Sequence, residues 1–554
     1  MRRRAKVHRT TVAALSLAVL VAAGGGGVRA QGQLPLPSPP TPAATAGWVD
    51  DAVCYEVFVR SFADSDGDGV GDLRGLTDRL DYINDGDPAT RTDLGATCLW
   101  LMPIFESPSY HGYDTVDHYA VDREYGSNED FVALIDAAHA RGVRVLLDLM
   151  LNHTSSEHPW FREALADPAS PYRDWYRFST EDPGYRGPWG QEVWHPSPVG
   201  GEYFYGVFYE GMPDLNYRNP AVTAEAERIS RFWLEEMGAD GFRLDAIKHL
   251  IEDDRVQENT PETQRWLREY RAFLGRVAPD AFTVGEVFGG GTGVLASYYP
   301  DGLDSFFAFE VGQTLLAAAN YGLAADFVEA AEGAYTKLPD QRWAPFLTNH
   351  DQPRTMTELG DVAEARLAAT ALLTLPGLPF VYYGEEIGMG GDKPDELIRT
   401  PMQWAPGPGG GFTEGRPWEP FQPDLDTVNV AAQDADPASL LNRYRALVAL
   451  HAEVPALGHG DFAVLETGSA GVAAYVRRAG DSVVLVVLNF GKAPATGVAL
   501  GGVTSLAAGA YGATPLLDHA AGAPLTVADG GTIGGYVALP SLEPKSGYVF
   551  ALAS

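Results

Sequence analysis

From residue 53 to residue 383 the chain alternates short apolar runs with stretches of helical period. The apolar runs are Val53–Val59, Thr97–Pro103, Val143–Leu149, Gly241–Asp245, Phe282–Glu286, Ser305–Ala308, Ala344–Leu347 and Pro379–Tyr383. Between them, segments such as Phe131–Arg141, Thr223–Met237 and Ala363–Leu375 place apolar residues three and four apart, the signature of helices with one buried face. Strands that read as continuous apolar runs are buried on both faces, which is the lot of parallel strands covered by helices. Eight strands with interleaved helices predict an α/β fold, a (β/α)8 TIM barrel.

Two departures from the pattern define further units. After the third run, residues 152–219 carry little helical period and 15 aromatic residues, among them Trp160, Trp175, Trp189, Trp194, Tyr203, Phe204, Tyr205 and Tyr209. So long an irregular connection is expected to be an inserted domain, most of its aromatics forming a small core and a few lining a cleft. After the helical stretch Ser439–His451 the pattern turns to short alternating runs, Gly471–Arg477, Ser482–Asn489 and Gly547–Leu552, with Gly and Ala turns. That predicts a C-terminal antiparallel β-sandwich over 453–554. The barrel then occupies 48–151 and 220–452.

At the front, Arg2, Arg3, Arg4, Lys6 and Arg9 precede an apolar run from Val12 to Ala23 and a small-residue stretch ending Val28-Arg29-Ala30. The run is shorter than the ~20 residues that span a bilayer, so residues 1–30 read as a cleaved export signal, and a secreted or periplasmic protein with no membrane contact afterwards is expected. Residues 31–47, rich in Pro and Ala, read as a tether. The formal net charge is −34; removing the six basic residues of 1–30 makes it −40. Such a surface repels polyanions, and nucleic acid is excluded as a partner; a monomer is expected. Cys54 and Cys98 both lie in apolar runs, and two separate buried thiols or one disulfide fit equally well.

Several polar residues interrupt this apolar pattern at informative places. In Asp64-Ser-Asp-Gly-Asp-Gly-Val-Gly-Asp72 the carboxylates of Asp64, Asp66, Asp68 and Asp72 alternate with small residues. Together with the Val70 carbonyl they form an oxygen-rich curl suited to Ca2+. In GADGFRLDAIKHL, Arg243 and Asp245 share one face of a strand, and an Arg beside a carboxylate keeps it ionised, as a nucleophile requires. Glu286 ends the apolar run FTVGE, where desolvation favours the protonated form that a general acid needs. FLTNHDQPR adds His350 and Asp351 at another strand end. Carboxylates at the C-terminal ends of barrel strands lie on the face where such barrels carry their chemistry.

LLDLMLNH, GFRLDAIKH, TVGEVF and FLTNHD, with MPDLN at 212–216, resemble in order and spacing the signature segments of the α-amylase family, family 13 of the glycoside hydrolases. The resemblance runs from about Val53 to the C-terminus. It implies Asp245 as nucleophile, Glu286 as general acid/base and Asp351 as the residue that binds the sugar hydroxyls beside the scissile bond. His153, Arg243 and His350 would complete that subsite, with Tyr113 stacked on the ring. Such a retaining double displacement needs carboxyls ~5–5.5 Å apart. The resemblance also implies a second calcium at Asn152, Asp214 and the His249 carbonyl, a site that other members lack.

Lys248 and His249 resemble the pair with which α-amylases hold glucose units on the leaving-group side, and Ala246 after the nucleophile resembles enzymes of α-1,4 bonds. TPMQW (400–404) and the calcium loop resemble instead α-glucosidases and trehalose-forming isomerases. The expected function is hydrolysis of α-1,4-glucosidic bonds in starch or maltooligosaccharides, with an exo-acting α-glucosidase or transglycosylase as the alternative. A catalytically inert relative serving as a binding subunit would have lost an acidic residue, and Asp245, Glu286 and Asp351 all stand.

Overall fold

The computed structural model describes residues 47–253 and 255–554. The expected export signal and all of the expected tether but Gly47 lie outside the described residues. Seven strands form one parallel sheet: β1 (Cys54–Val57), β2 (Cys98–Leu101), β3 (Arg144–Leu149), β4 (Gly241–Leu244), β5 (Phe282–Gly285), β6 (Ser305–Phe306) and β8 (Phe380–Tyr382). The eighth position, β7 (344–346), consists of two parallel bridges, Phe307 to Ala344 on the β6 side and Phe346 to Phe380 on the β8 side. Since β8 also pairs with β1, the ring closes in chain order. All eight runs thus fall in the barrel, each shorter than the apolar pattern suggested because ladders end where strands diverge at the rims.

Between the strands run helices whose buried faces pack on the outside of the barrel. Helix α1 (Asn128–His139) starts at a reciprocal cap between Ser127 and Asp130 and buries Phe131, Leu134, Ile135 and Ala138. Helix α2 (Pro220–Arg231) begins with proline in its first turn, where the missing N–H costs nothing. It widens into a π-helical turn, Phe232–Glu236, in the segment that sequence period assigned to one regular helix. Helices α3 (Pro261–Val277), α4 (Phe309–Tyr321) and α5 (Val362–Leu372) continue the outer ring.

Strand alternation sorts the two cores. Tyr55, Leu99, Leu147, Phe242 and Leu244 face outward into the main core under the helices, whereas Cys54, Cys98, Trp100, Leu146, Val284, Phe307, Phe346 and Phe380 fill the barrel interior. Cys54 and Cys98 are register partners on adjacent strands, and the structure joins them in a disulfide. At Gly241, where β4 meets β5, φ is +156° and a Cβ would sit 1.9 Å from the Phe282 carbonyl oxygen, so no larger residue fits.

Residues 152–219 are less irregular than their sequence suggests. They hold a helix, Pro159–Ala166, and a three-stranded antiparallel sheet of Phe178–Ser179, Tyr203–Tyr205 and Trp194–Pro196. Trp175, Tyr176, Phe204, Tyr205 and Tyr217 are buried, and Phe161 packs against Tyr176 and Phe204. The C-terminal region forms a six-stranded antiparallel sheet with an apolar core of its own, which includes Val476, Leu485, Val487, Leu525 and Phe550.

Candidate active site

The alternation that puts Cys54, Leu146 and Gly241 on the inner face of the barrel puts polar residues directly above them, two positions on. These are Glu56 on β1, Asp148 on β3 and Arg243 on β4, all 2 % exposed or less. Above this layer, at the C-terminal strand ends, stand Asp245 and Glu286. One guanidinium organises the group. Arg243 Nη1 donates to Asp148 Oδ1 at 2.8 Å and to Asp245 Oδ1 at 2.6 Å, and Nη2 lies 3.0 Å from Glu286 Oε2.

Immediately after Asp245 the chain turns sharply at Ala246, whose left-handed backbone (φ 50°, ψ 28°) is uncommon for a residue with a Cβ. The turn presents the Ala246 amide to Glu286 Oε2 at 3.2 Å. Burial, opposed by Arg243 and reinforced by Asp245 and Asp351, pushes Glu286 up to about 7. A carboxyl group so poised holds a proton near neutrality and can give it away, which suits acid and base work in turn. Asp351 goes the other way. Burial raises it, but His350, Arg399 and Arg243 outweigh burial and hold it below the usual range. Its Oδ1 accepts from Arg399 Nη2 at 2.9 Å, and its Oδ2 lies 3.3 Å from His350 Nε2.

These groups face a cleft of about 390 Å³, lined among others by Tyr113, His153, Asp245, Lys248, His249, Glu286 and Asp351, in the size range of small-molecule sites. Arg243 and His350 do not line it. They lie one layer below, Arg243 under the carboxylates and His350 under Tyr113, whose hydroxyl is 2.5 Å from His350 Nε2. Burial lowers His153 and takes His249 down to about 4, so both imidazoles are neutral near pH 7. Lys248 Nζ donates to Glu258 Oε2 at 2.7 Å and to the Phe288 carbonyl at 2.8 Å. Of the aromatics in 152–219, Trp189 and Tyr209 are half exposed and line the cleft together with Phe208; Trp189 stacks on Phe208.

A cleft with paired carboxyls at the C-terminal mouth of a parallel barrel is shared by many enzymes, and comparison with known proteins decides among them. The model of the α-amylase catalytic domain matches residues 56–460. The chain belongs to the α-amylase family, glycoside hydrolase family 13. Alpha-amylase 3 of Dictyoglomus thermophilum is 40 % identical over 451 residues, 80 % of this chain and 86 % of the relative. Trehalose synthase/amylase TreS of Mycobacterium tuberculosis is 35 % identical over 513 residues, 81 % of this chain and 82 % of the relative. The crystal structure of an α-amylase from H. orenii superposes with a TM-score of 0.78 at 39 % identity, covering 90 % of this chain and 99 % of that one.

Within this family frame the acidic loop at 64–72 is only partly convergent. Oxygen atoms of Asp64, Asp66 and Asp72 lie within 4.8 Å of one another. Asp68 stands apart from the trio, its Oδ1 accepting from the Val70 amide at 2.8 Å. Asp64 Oδ2 accepts from Gly69 N and Thr413 Oγ1, which ties the loop to the segment after TPMQW. Near the cleft, Asn152 Oδ1 and Asp214 Oδ2 are buried without a hydrogen-bond partner, a state that costs free energy unless a cation or water meets them.

Sequence reasoning missed Glu56, Asp148 and Arg399. The first two had a signal, since each is the one buried charged residue of a strand that otherwise reads as apolar (CYEV, and RVLLDL after its exposed first residue Arg144), where only a satisfied or functional charge survives. Arg399 directly precedes TPMQW. Its Nε donates to the His350 carbonyl, and Nη2 lies 3.1 Å from Asp395 Oδ2 as well as on Asp351.

Proposed function

We propose that this family 13 enzyme hydrolyses α-1,4-glucosidic bonds in starch and maltooligosaccharides as an α-amylase, by a retaining double displacement. The observation that carries the mechanism is the single buried guanidinium shared by Asp245 and Glu286, with Glu286 raised to about 7. Asp245 Oδ attacks the anomeric carbon while the Glu286 carboxylic acid protonates the departing glycosidic oxygen, which leaves as an alcohol. Glu286, now a carboxylate, takes a proton from water; the water oxygen attacks the same carbon and the Asp245–carbon bond breaks, so the product keeps the α-configuration. Asp351, held by Arg399 and His350, receives the hydroxyls of the distorted sugar, with Tyr113 and His153 beside it. Lys248 and His249 face the leaving-group side.

The choice of α-1,4 hydrolysis rests on Ala246 and the Lys248–His249 pair, and it agrees with the relative named alpha-amylase 3. A second reading, transfer to give trehalose, is favoured by TPMQW and by the relative named trehalose synthase/amylase. Product analysis separates the two. Maltoheptaose should give a range of shorter maltooligosaccharides from the first minutes; glucose as the sole early product, or trehalose from maltose, would overturn the α-amylase reading.

The same reading includes Ca2+. Asp64, Asp66 and Asp72, with Asp68 and the Val70 carbonyl, supply the hard oxygen ligands that it prefers, and bound there it would tie the loop to the barrel. A second ion would satisfy the two orphaned oxygens of Asn152 and Asp214, with the His249 carbonyl. Chelation should lower the melting temperature, and Asp64→Asn should abolish part of the recovery on adding CaCl2. Export after cleavage near Ala30 completes the proposal, and N-terminal sequencing of protein from the medium or periplasm tests it.

A further inference from the structure

Glu56 takes no part in the chemistry proposed above, yet it is a carboxyl group on the inner face of β1 and 2 % exposed. Its Oε1 lies 2.5 Å from His350 Nδ1, and His350 itself is fully buried. The other ring nitrogen, Nε2, is 2.5 Å from Tyr113 Oη and 3.3 Å from Asp351 Oδ2. Tyr113 Oη donates to Asp148 Oδ2 at 3.0 Å, and Asp148 Oδ1 accepts from Arg243. The charged and titratable neighbours of Glu56 are Asp148 from β3, Arg243 from β4, His350 and Asp351 after β7, and Tyr382 from β8. On β2, the Trp100 ring packs edge-on against His350.

The protons along this column can be placed from its fixed end. Arg243 only donates, so Asp148 Oδ1 accepts there. Burial pushes Asp148 up to about 7 against the pull of Arg243, and in its ionised, Arg243-paired form it takes the Tyr113 hydroxyl hydrogen on its second oxygen. Tyr113 Oη must therefore accept at its contact with His350, which puts a hydrogen on Nε2. If the ring is neutral, Nδ1 then carries a lone pair and Glu56 must be the donor. We propose that Glu56 is a positioning residue that donates as a neutral carboxylic acid to Nδ1 and fixes His350 in its Nε2–H tautomer, so that this N–H supports both Tyr113 and Asp351 from beneath the cleft. Burial acts in the same sense on both partners, pushing Glu56 well above and His350 well below their ordinary values. With Glu56 ionised, the proton would move to Nδ1 and the bare Nε2 lone pair would face the Asp351 carboxylate. The inference rests on the family's glucosyl site and not on which α-glucan is cleaved.

Nitrogen-15 NMR of the full-length protein with labelled histidine, the His350 signals assigned by their loss in His350→Gln, reads the tautomer with no substrate present. At pH 7 the expected pattern is a neutral ring protonated at Nε2, in the wild type and in Glu56→Gln, whose amide N–H replaces the carboxylic O–H. Glu56→Gln should keep kcat/KM on maltoheptaose within about threefold. Glu56→Leu, which offers no donor, should lose about tenfold or more, mainly in kcat. A wild-type His350 protonated at Nδ1, alone or together with Nε2, overturns the proposal, as does a folded Glu56→Gln no better than Glu56→Leu. Should Glu56→Leu fail to fold, the NMR spectra and Glu56→Gln still decide. Inactivity of the wild type on every α-glucan would refute the substrate reading while leaving the tautomer measurable.

Discussion

Replacing Arg243 by Met keeps the bulk of the side chain and removes the one cation shared by Asp148, Asp245 and Glu286. At an effective dielectric of ~20, unit charges ~4 Å apart interact by about 4 kcal/mol, equivalent to about three pH units. Water entry and side-chain relaxation should leave one to two of those units. Glu286 starts at about 7, with Arg243 the chief influence opposing burial. Without it the carboxyl binds its proton more tightly, so the alkaline limb of the pH–rate profile should move up by one to two units. Asp245 loses its bonded partner too, and kcat should fall at least about 10²-fold. Stability should also drop, since breaking a buried ion pair from one side costs about 3–5 kcal/mol. Arg243→Lys, which restores charge without the planar fork, should recover part of the pH shift and less of the rate. Profiles on an aryl α-maltoside and thermal melts at matched pH test all of this. An unshifted alkaline limb in a folded Arg243→Met protein would refute the claim that this guanidinium sets the proton affinity of Glu286.

Glu286→Gln should cost about 10²-fold or more on maltooligosaccharides but much less on α-maltosyl fluoride, whose leaving group needs no proton; equal losses on both would mean that Glu286 is not the acid. Glu385 is buried against Thr355 and Tyr444 and pushed up to about 8, by burial first, from an ordinary 4.5. The folded state therefore binds the extra proton, and stability falls as pH rises between about 4.5 and 8. Glu385→Gln should flatten that part of the curve, raising the melting temperature more at pH 8 than at pH 5 relative to wild type. The Cys54–Cys98 bond closes a separation of 44 residues, for which chain entropy gives about 4 kcal/mol. The double variant Cys54→Ala/Cys98→Ala should show a urea midpoint lowered to match, and no change would mean that the pairing adds little.

The barrel was legible because parallel strands buried on both faces leave unbroken apolar runs, and even the two-bridge β7 shows one in Ala344–Leu347. The helical turn inside 152–219 was not, because Pro159–Ala166 is only 8 residues long and its period is masked by aromatics that serve a local core. The π-helical turn at Phe232–Glu236 was hidden for the opposite reason: its apolar residues keep a helical spacing while the backbone widens. Whether Cys54 and Cys98 bond depends on strand register, which no property of either run alone records. The carboxylates at strand ends were legible, but their support was not, because Arg399 comes from a segment remote in sequence from Asp351 and His350.

The barrel interior shows why those supports lie where they do. Inward positions on β1 to β4 run from a dry lower layer of Cys54, Cys98 and Leu146 to Glu56, Asp148 and Arg243, and then to Asp245 at the mouth. A charge in the lower layer, among Cys54, Cys98 and Leu146, would face a desolvation cost of several kcal/mol with only apolar neighbours. At the open mouth, water would screen Arg243 and weaken its hold on the carboxylates. The middle layer is the one height at which a guanidinium is dry enough to act strongly on Asp245 and Glu286 and still bonded on both prongs. It also imposes a demand on its other members, since Asp148 must stay paired with Arg243 and any further carboxyl there must find a neutral role. Glu56 meets that demand as a proton donor to His350. On this argument Glu56→Asp, which draws the carboxyl back from Nδ1, should behave like Glu56→Leu and not like Glu56→Gln, although it preserves the acid. Full activity in Glu56→Asp would show that position in the layer matters less than the chemical group.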